Sequence, residues 1–194
     1  MEVFSSSNSS FSVVNHRLVG GGVIHLECPK NRQGLGVPEM IILHYTAGMD
    51  AMSSAKFLVK PDVKASAHVV IGRDGQVIQL VPFNIEAWHA GRSWYAGREE
   101  LNHYSIGIEL DNLGQLRMEG GKFVAECGRE VPFKEVYTDD SGRELTYWHK
   151  YTRVQMDVLR EVCRLLKKRY PIKYVVGHSD VTARKVDPGP ALQF

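Results

Sequence analysis

Apolar residues occur along the chain in short runs that predict strands. The run from residue 40 is continuous and β-branched until Gly48, as is typical of a strand buried on both faces. The run from residue 66 has two β-rich halves around Asp74 and Gly75, a dipeptide that favours a tight hairpin turn. The predicted strand segments are MIILHYTAG (40–48), the hairpin SAHVVIGRDGQVIQLVP (66–82), SIGIEL (105–110) and KYVVGH (173–178).

Two other segments carry helical signals. A short helix is expected at 51–60, where Pro61 ends it. A longer helix begins at Thr152, which forms a capping-box pattern with Gln155, and it ends before Pro171. Its apolar residues recur every three or four positions: Met156, Leu159, Cys163, Leu166 and Tyr170. Strands interleaved with helices predict an α/β fold, a single-domain mixed β-sheet flanked by helices.

Two stretches lack this periodicity. Residues 111–150 are rich in glycine and charge, and we interpret them as turns within a long insertion rather than as a second core. The insertion either lines a groove or is a surface loop. Residues 1–12 are rich in serine and asparagine, and we expect them to be frayed.

Composition narrows the class of protein. With 194 residues, 43% hydrophobic and 24% charged, the chain fits one soluble domain. A net charge of +2 is too small to argue for nucleic acid as a partner. No window approaches the ~20 apolar residues of a membrane span. The start, MEVFSSSNSSFSVV, lacks the basic leader and apolar segment of a signal peptide, so cytoplasmic synthesis is expected.

The three cysteines are widely scattered and form no CxxC motif. Cys28, Cys127 and Cys163 are therefore expected to be buried or free thiols rather than a disulfide framework. Such usage is typical of a protein that folds in a reducing cytosol.

Polar residues at the ends of predicted strands are the candidates for chemistry. His44 and His178 close two apolar strands, and Glu109 nearly closes another. Strand ends are the usual place for ligand chemistry in α/β sheets. Two histidines and one acidic residue are a common catalytic zinc set, which leaves the fourth position to water. The carboxylate must then come from Asp180, Asp187 or Glu109.

Spacing alone leaves that choice open. Asp180 lies two residues beyond His178, but we interpret it as a turn or cap residue. Asp187 precedes Pro188, which keeps it out of helical conformation. Lys185 lies two residues earlier, where an ammonium can stabilise negative charge on a carbonyl oxygen.

In this scheme Glu109 is free to act as a general base on the zinc-bound water. The set favours a zinc hydrolase. The remaining histidines of strands and loops are interpreted as structural or exposed: His68, His103 and His149.

Five ordered motifs resemble the type 2 N-acetylmuramoyl-L-alanine amidases, zinc enzymes related to phage amidase lysozymes, muropeptide amidases and peptidoglycan recognition proteins. The motifs are IILHYTAG, SAHVVIGRDGQVIQLVP, AWHAGRSWYAGR, LNHYSIGIELDN and GHSDVTARKVDPGP. The likeness runs from about residue 37 to 190. It implies an amidase catalytic domain at 37–194 with an insertion at about 111–150, preceded by a partly flexible N-terminal extension at 1–36.

The resemblance also implies roles for particular residues. The three zinc ligands fall on His44, His178 and Asp187, the catalytic glutamate on Glu109, and the lysine that supports the oxyanion on Lys185. The segment with Trp88, His89 and Asn102 resembles part of the substrate groove, although for Trp88 a place in the core is an equal alternative.

The implied activity is hydrolysis of the amide between the lactyl group of N-acetylmuramic acid and L-alanine of the stem peptide. The expected partner is peptidoglycan or a muropeptide, bound by a monomer with Zn²⁺ as cofactor. Two rival functions stay open: a recognition module that binds peptidoglycan without cutting it, and a zinc peptidase that acts within the stem peptide.

Overall fold

The computed structural model describes residues 10–142 and 144–194; the predicted fraying of residues 1–9 lies outside them. The helices are α1 (Ala51–Leu58), α2 (Arg153–Arg169) and α3 (His178–Val181), with short 3-10 turns at Leu101–His103 and Phe133–Glu135. The strands are β1 (Phe11–Val14), β2 (Arg17–Gly20), β3 (Ile24–His25), β4 (Met40–Tyr45), β5 (Val69–Ile71), β6 (Val77–Gln79), β7 (Trp94–Tyr95), β8 (Arg98–Glu99), β9 (Ser105–Leu110), β10 (Gln115–Glu119), β11 (Lys122–Ala125), β12 (Glu130–Val131), β13 (Val136–Asp139), β14 (Thr146–His149) and β15 (Tyr174–Gly177).

The central sheet in the described part of the chain has six strands in the order β15-β4-β9-β5-β6-β3. The first four strands run parallel to one another, and β5 and β6 form the antiparallel hairpin that the sequence predicts. At the turn of this hairpin Gly75 has a φ of 87°, which an L side chain would strain. The predicted mixed sheet flanked by helices is confirmed.

The central sheet has two unlike faces. On one face Ile41, Leu43, Ile106 and Ile108 belong to a core cluster that also contains the apolar residues of α2. We call this the core face. Because side chains alternate along a strand, the residues between them point to the opposite face. We call that side the site face, since His44 and Glu109 lie on it.

Helix α2 covers the core face and matches its sequence signal closely. The five apolar residues predicted to face the core are all buried, and Thr152 caps the helix by accepting a hydrogen bond from the Gln155 N–H. The predicted capping box is wrong in its second half. The Gln155 amide points inward and donates to the carbonyls of Ile71 and Asp111, where β5 and β9 end.

Helix α1 lies over the other face. Asp50 caps it, and Ala51, Ala55 and Leu58 pack against Val70 of β5. The helix ends at Leu58, two residues before the predicted end, because Val59 begins the turn that leads to Pro61.

Residues 111–150 contradict the prediction of turns without a second core. In the described part of this segment, strands form a five-stranded antiparallel sheet in the order β12-β11-β10-β14-β13. Its strands are short and one face is exposed, so the sequence shows little periodicity. The inner face nevertheless forms its own small cluster, which contains Leu113, Leu116, Ala125, Val131 and Val136. We call this the insertion sheet.

Residues 10–36 also depart from the expectation of fraying up to residue 12. Phe11 is in β1 and, with Leu18 of β2, is buried in the cluster of the core face. Strand β3 pairs with β6 at the edge of the central sheet. The division between residues 1–36 and 37–194 stays a prediction. Within the described ranges, the helices are too short or too polar to cross a bilayer.

Candidate metal and catalytic site

Adjacent parallel strands bring two of the predicted site residues together. His44 on β4 is paired in register with Glu109 on β9. Both side chains lie on the site face, because their neighbours Leu43 and Ile108 point into the core cluster. The pairing of β4 with β9 therefore fixes the distance between His44 and Glu109, because both residues lie within strands rather than in loops.

His178 and Asp187 come from the segment that follows β15. His178 is the first residue of α3 rather than the last residue of the strand. Asp180 accepts a hydrogen bond from the Gly177 N–H at 2.7 Å, which confirms it as a cap residue. The Ser179 N–H donates to the Asp187 carbonyl at 2.8 Å, so the loop folds back and carries the Asp187 carboxylate to the histidines.

Three ligand atoms converge. His44 Nδ1 lies 3.1 Å from His178 Nδ1, and each lies 3.0 Å from Asp187 Oδ2. All three residues are buried, and they form the His-His-Asp group whose atoms are close enough to hold one metal ion. Tetrahedral ligands at 2.0–2.1 Å from a zinc ion lie about 3.3 Å apart, which is close to the size of this triangle.

Electrostatics fit a cation at this triangle. Burial alone would raise the pKa of Asp187, but hydrogen bonds with His178 and His44 outweigh it and hold the pKa well below its usual range. Burial lowers the pKa of His44, partly offset by its contact with Asp187. An ionised carboxylate beside neutral imidazole is the protonation state that a metal requires.

Glu109 has a different environment. Its Oε2 atom is buried and has no hydrogen-bond partner among the residues that the structure describes. Burial, and the nearby charge of Asp187, raise the pKa of Glu109 to about 8, against the opposing charge of Lys185. The carboxyl lines a cavity of about 260 Å³ together with Tyr45, Ser54 and Phe57. A carboxyl with a raised pKa beside an open cavity is suited to proton transfer.

Lys185 is exposed, and its charge acts on Glu109 and His44. The structure thus brings its ammonium within electrostatic range of the triangle. Its role as an oxyanion donor stays a prediction.

The three residues predicted to bind substrate differ in their surroundings. Trp88 is exposed, with 37% of its surface accessible, and the Lys30 ammonium lies 6.0 Å from its ring centroid. Asn102 lines a cavity of about 750 Å³, while its Oδ1 accepts from the backbone N–H groups of His89 and Ala90. Both ring nitrogens of His89 contact protein atoms, namely His44 Nε2 and Ser105 Oγ. Substrate binding by these residues stays a prediction.

Protein contacts also involve the three histidines that we interpret from the sequence as structural or exposed: His68, His103 and His149. His68 is fully buried, accepts from the Gly107 N–H and contacts the Ile85 carbonyl. His149 is buried and accepts from the Leu113 N–H. His103 forms an ion-pair contact with Glu86.

Comparison with known proteins identifies the family. The sequence model of the N-acetylmuramoyl-L-alanine amidase family matches residues 34–190. The chain belongs to this family. As in the motif resemblance, the match includes every residue of the triangle together with Glu109 and Lys185.

Several relatives of this amidase-family chain are characterised. The 1,6-anhydro-N-acetylmuramyl-L-alanine amidase AmpD of Escherichia coli is 34% identical over 153 residues, which cover 77% of this chain and 66% of AmpD. The N-acetylmuramoyl-L-alanine amidase AmiD of E. coli is 33% identical over 166 residues, 80% of this chain and 50% of AmiD. The chain thus spans slightly less than two thirds of the length of the first AmpD relatives and half of the length of AmiD.

The solved structures agree. A complex of E. coli AmiD with its substrate anhydro-N-acetylmuramic acid-L-Ala-D-γ-Glu-L-Lys superposes with a TM-score of 0.62 at 27% identity, over 95% of this chain and 63% of that one. A crystal structure of an AmpD derivative has a TM-score of 0.60 at 28% identity and covers 89% of this chain and 90% of that one. The fold is that of the family.

Proposed function

We propose that this chain is a zinc-dependent N-acetylmuramoyl-L-alanine amidase. Its reaction is hydrolysis of the amide between the lactyl group of N-acetylmuramic acid and L-alanine of the stem peptide. The observation that carries the proposal is the buried triangle of His44, His178 and Asp187, with Glu109 beside it on the next strand. Membership of the amidase family supports the choice of substrate.

The donor set of the triangle fits zinc. Two imidazole nitrogens and one carboxylate oxygen are ligands of catalytic zinc, and three protein ligands leave one position open. Two bare imidazole nitrogens that face each other at 3.1 Å repel, and a cation between them removes that repulsion. A bound zinc ion supplies Lewis-acid chemistry, since it polarises a carbonyl and lowers the pKa of water from ~16 to ~7.

In this proposal Glu109 moves the proton. Its ionised carboxylate takes a proton from the attacking water and passes it to the departing nitrogen of L-alanine. A raised pKa of about 8 suits the second half of this task, because the carboxyl then holds the proton until the leaving nitrogen takes it. The first half requires the ionised carboxylate, which a cation held in the triangle favours. The Oε2 atom has no hydrogen-bond partner within the described part of the chain, and the adjoining cavity leaves room for the water and the amide.

Lys185 and the groove residues complete the assignment. The Lys185 ammonium stabilises negative charge that develops on the carbonyl oxygen of the lactyl group. The cavity of about 750 Å³ lined by Trp94, Asn102 and Arg184 is large enough for part of a glycopeptide. We propose that Trp88 stacks on a sugar or peptide face at the edge of the groove.

The proposal is tested with anhydro-N-acetylmuramic acid-L-Ala-D-γ-Glu-L-Lys, the ligand of the AmiD complex, and with intact sacculi. Products are weighed by mass spectrometry with and without EDTA, and bound metal is measured by elemental analysis. We expect release of the free stem peptide with an intact sugar, abolished by EDTA and restored by Zn²⁺.

Other products contradict the proposal in distinct ways. A shortened stem peptide identifies a peptidase, and an unchanged substrate that still binds identifies a recognition module. Cleavage that EDTA does not diminish removes zinc from the account.

We further propose that the protein works as a monomer and is synthesised in the cytoplasm. The free thiols of Cys28, Cys127 and Cys163 fit a reducing compartment. Light scattering of the purified protein checks the monomer directly.

A further inference from the structure

A line of buried hydrogen bonds runs behind the metal triangle. His44 Nε2 lies 3.1 Å from His89 Nδ1, and His89 Nε2 lies 3.2 Å from Ser105 Oγ. The Ser105 hydroxyl in turn lies 2.6 Å from the Leu101 carbonyl oxygen. His44, His89 and Ser105 are all buried, so each polar atom depends on these contacts.

The direction of every bond in this line follows from its last member. A carbonyl oxygen only accepts, so the Ser105 hydroxyl donates to Leu101. The lone pair of Ser105 then accepts from the Nε2–H of His89. A neutral imidazole has one N–H, which leaves His89 Nδ1 as an acceptor for the Nε2–H of His44. When His44 is neutral and binds a metal, its Nδ1 is therefore the lone pair that faces the triangle.

Ala90, the residue after His89, contacts His178, the second histidine of the triangle. The Ala90 carbonyl oxygen lies 3.4 Å from His178 Nε2, so an N–H at this nitrogen leaves His178 Nδ1 bare as well. Asn102 holds the dipeptide in place, since its Oδ1 accepts from the N–H of His89 at 3.0 Å and of Ala90 at 2.8 Å. One short segment thus contacts the outer nitrogens of both histidines.

Strand β9 leaves a space for the His89 ring. A Cβ atom on Gly107 would lie 2.4 Å from Cγ and 2.7 Å from Nδ1 of His89. Any larger residue at position 107 would therefore displace the ring from His44. Ser105 and Gly107 lie on the same face of β9 as Glu109. This one strand therefore supplies the proposed base Glu109, the space for the His89 ring at Gly107 and the hydroxyl of Ser105.

We propose that His89 is a positioning residue that fixes His44 with Nδ1 free for the metal, with Ser105 setting the tautomer of His89 and Gly107 giving the ring its room. The inference rests on the metal site of the proposed function. It replaces the predicted contact of His89 with substrate by a contact with a metal ligand.

The tautomers are measured first, in metal-free protein by ¹⁵N–¹H NMR of the imidazole rings at neutral pH. We expect His89 to be protonated at Nε2, and we expect Ser105→Ala to weaken this preference. A His89 ring protonated at Nδ1 in the parent protein overturns the proposal. This measurement requires no zinc, so its outcome is separate from that of the proposed amidase activity.

Zinc affinity is measured second, by competition with a chromophoric chelator. His89→Ala is expected to weaken zinc binding by about 10–100-fold, the usual effect of losing such a supporting group. Gly107→Ala is expected to weaken it in the same direction because the ring is displaced. The matched control is His68→Gln, since His68 is a buried histidine next to His89 whose ring nitrogens contact backbone groups.

Circular dichroism and thermal melting establish that each variant is folded before its affinity is compared. If folded His89→Ala and Gly107→Ala both bind zinc within about twofold of the parent, well below the expected loss, the positioning role is wrong. An equal loss in His68→Gln also overturns it, because the effect would then follow from packing alone. Failure of the parent to bind zinc contradicts the proposed function instead.

Discussion

The two faces of the central sheet are formed by alternate residues of the same strands, yet they differ where the strands end. On the site face, apolar residues such as Ile42 and Val70 give way near the strand ends to His44 and Glu109. On β9, Ile106 and Ile108 enter the cluster under α2, whereas Ser105 and Glu109 point to the site face. On β4 the residue before His44 is likewise part of the core cluster. Alternation thus gives each strand both a packing role and a chemical role.

The comparison shows where buried polar atoms occur in the central sheet. Apolar burial stabilises both faces, and the cluster under α2 on the core face is the larger one. On the site face His44 and Ser105 are buried with hydrogen-bond partners, whereas Glu109 Oε2 is buried with no partner in residues 10–142 and 144–194. Such an unpaired group costs stability, and we expect it to be retained for function. We therefore expect substitutions of the polar residues on the site face to lower activity, and substitutions of apolar residues on the core face to lower stability.

The largest expected effect is on the site face. Glu109→Gln removes the proton acceptor but keeps the size of the side chain, and we expect kcat to fall by about 10²–10⁴-fold. The variant should bind zinc and melt at or above the temperature of the parent, because the buried carboxyl is lost. Hydrolysis of the muropeptide at the parental rate would contradict the role of Glu109.

The neighbouring residue on the core face should behave in the opposite way. Ile108→Ala leaves a cavity under α2, and we expect the free energy of unfolding to fall by about 2–5 kcal/mol. Urea denaturation measures this loss. The kcat of the folded fraction should match that of the parent. A large fall in kcat would show that the two faces are coupled, and the division would fail.

Titratable groups on the two faces should also affect stability in different pH ranges. Burial lowers the pKa of His68 on the site face to about 4, so the unfolded state binds more protons between pH 6.5 and 4. Stability is then complete above pH 6.5 and is lost as the pH falls, by on the order of 3 kcal/mol. Burial raises the pKa of the Cys163 thiol under the core face to about 12, so stability is lost as the pH rises above 9.

Both effects are checked by measuring the free energy of unfolding of the variants as a function of pH. We call the loss of stability below pH 6.5 the acid limb and the loss above pH 9 the alkaline limb. His68→Gln should flatten the acid limb alone, and Cys163→Ala should flatten the alkaline limb alone. A change of the same limb by both substitutions would remove the distinction between the faces.

The smallest expected effect concerns the helix caps. Asp50 caps α1 on the site face through the Ser53 N–H, and Thr152 caps α2 on the core face through the Gln155 N–H. Replacement of either residue by alanine should cost about 1 kcal/mol of stability. Only Asp50→Ala should also raise KM, because α1 lines the cavity beside Glu109. Steady-state kinetics of the two variants, at equal folded fraction, decide this; equal KM values would count against a substrate role for the cavity.

Local signals account for what the sequence predicted well. The strands at 40–45 and 105–110 and helix α2 carry continuous apolar patterns, so their existence and direction follow from the sequence. The grouping of His44, His178 and Asp187 required the family resemblance, because spacing alone left Asp180, Asp187 and Glu109 open as the source of the carboxylate. In the structure Asp187 lies with the two histidines, and the Asp180 carboxylate accepts from the Gly177 N–H.

Other features depend on tertiary contacts that no local pattern records. Gln155 fits a capping box in sequence, but its amide is drawn inward by two carbonyls that end strands far away in the chain. The environment of His89 also depends on tertiary contacts. The local sequence WHAG does not distinguish a histidine that lines a substrate groove from one that packs against another histidine. The signal that could have found its partner is the spacing of Ser105, Gly107 and Glu109, which share one face of a strand.

The insertion sheet leaves and rejoins the main fold at a single place. The Asn112 amide donates to the His149 carbonyl at 2.9 Å, the Leu113 N–H donates to the His149 ring, and the His149 N–H donates to Gly114. The two ends of a segment of about forty residues are thus tied together beside the end of β9. Because the two ends of this segment meet, a brief turn is long enough to span the same gap, and we expect the segment to be replaceable without a shift of the strand that carries Glu109.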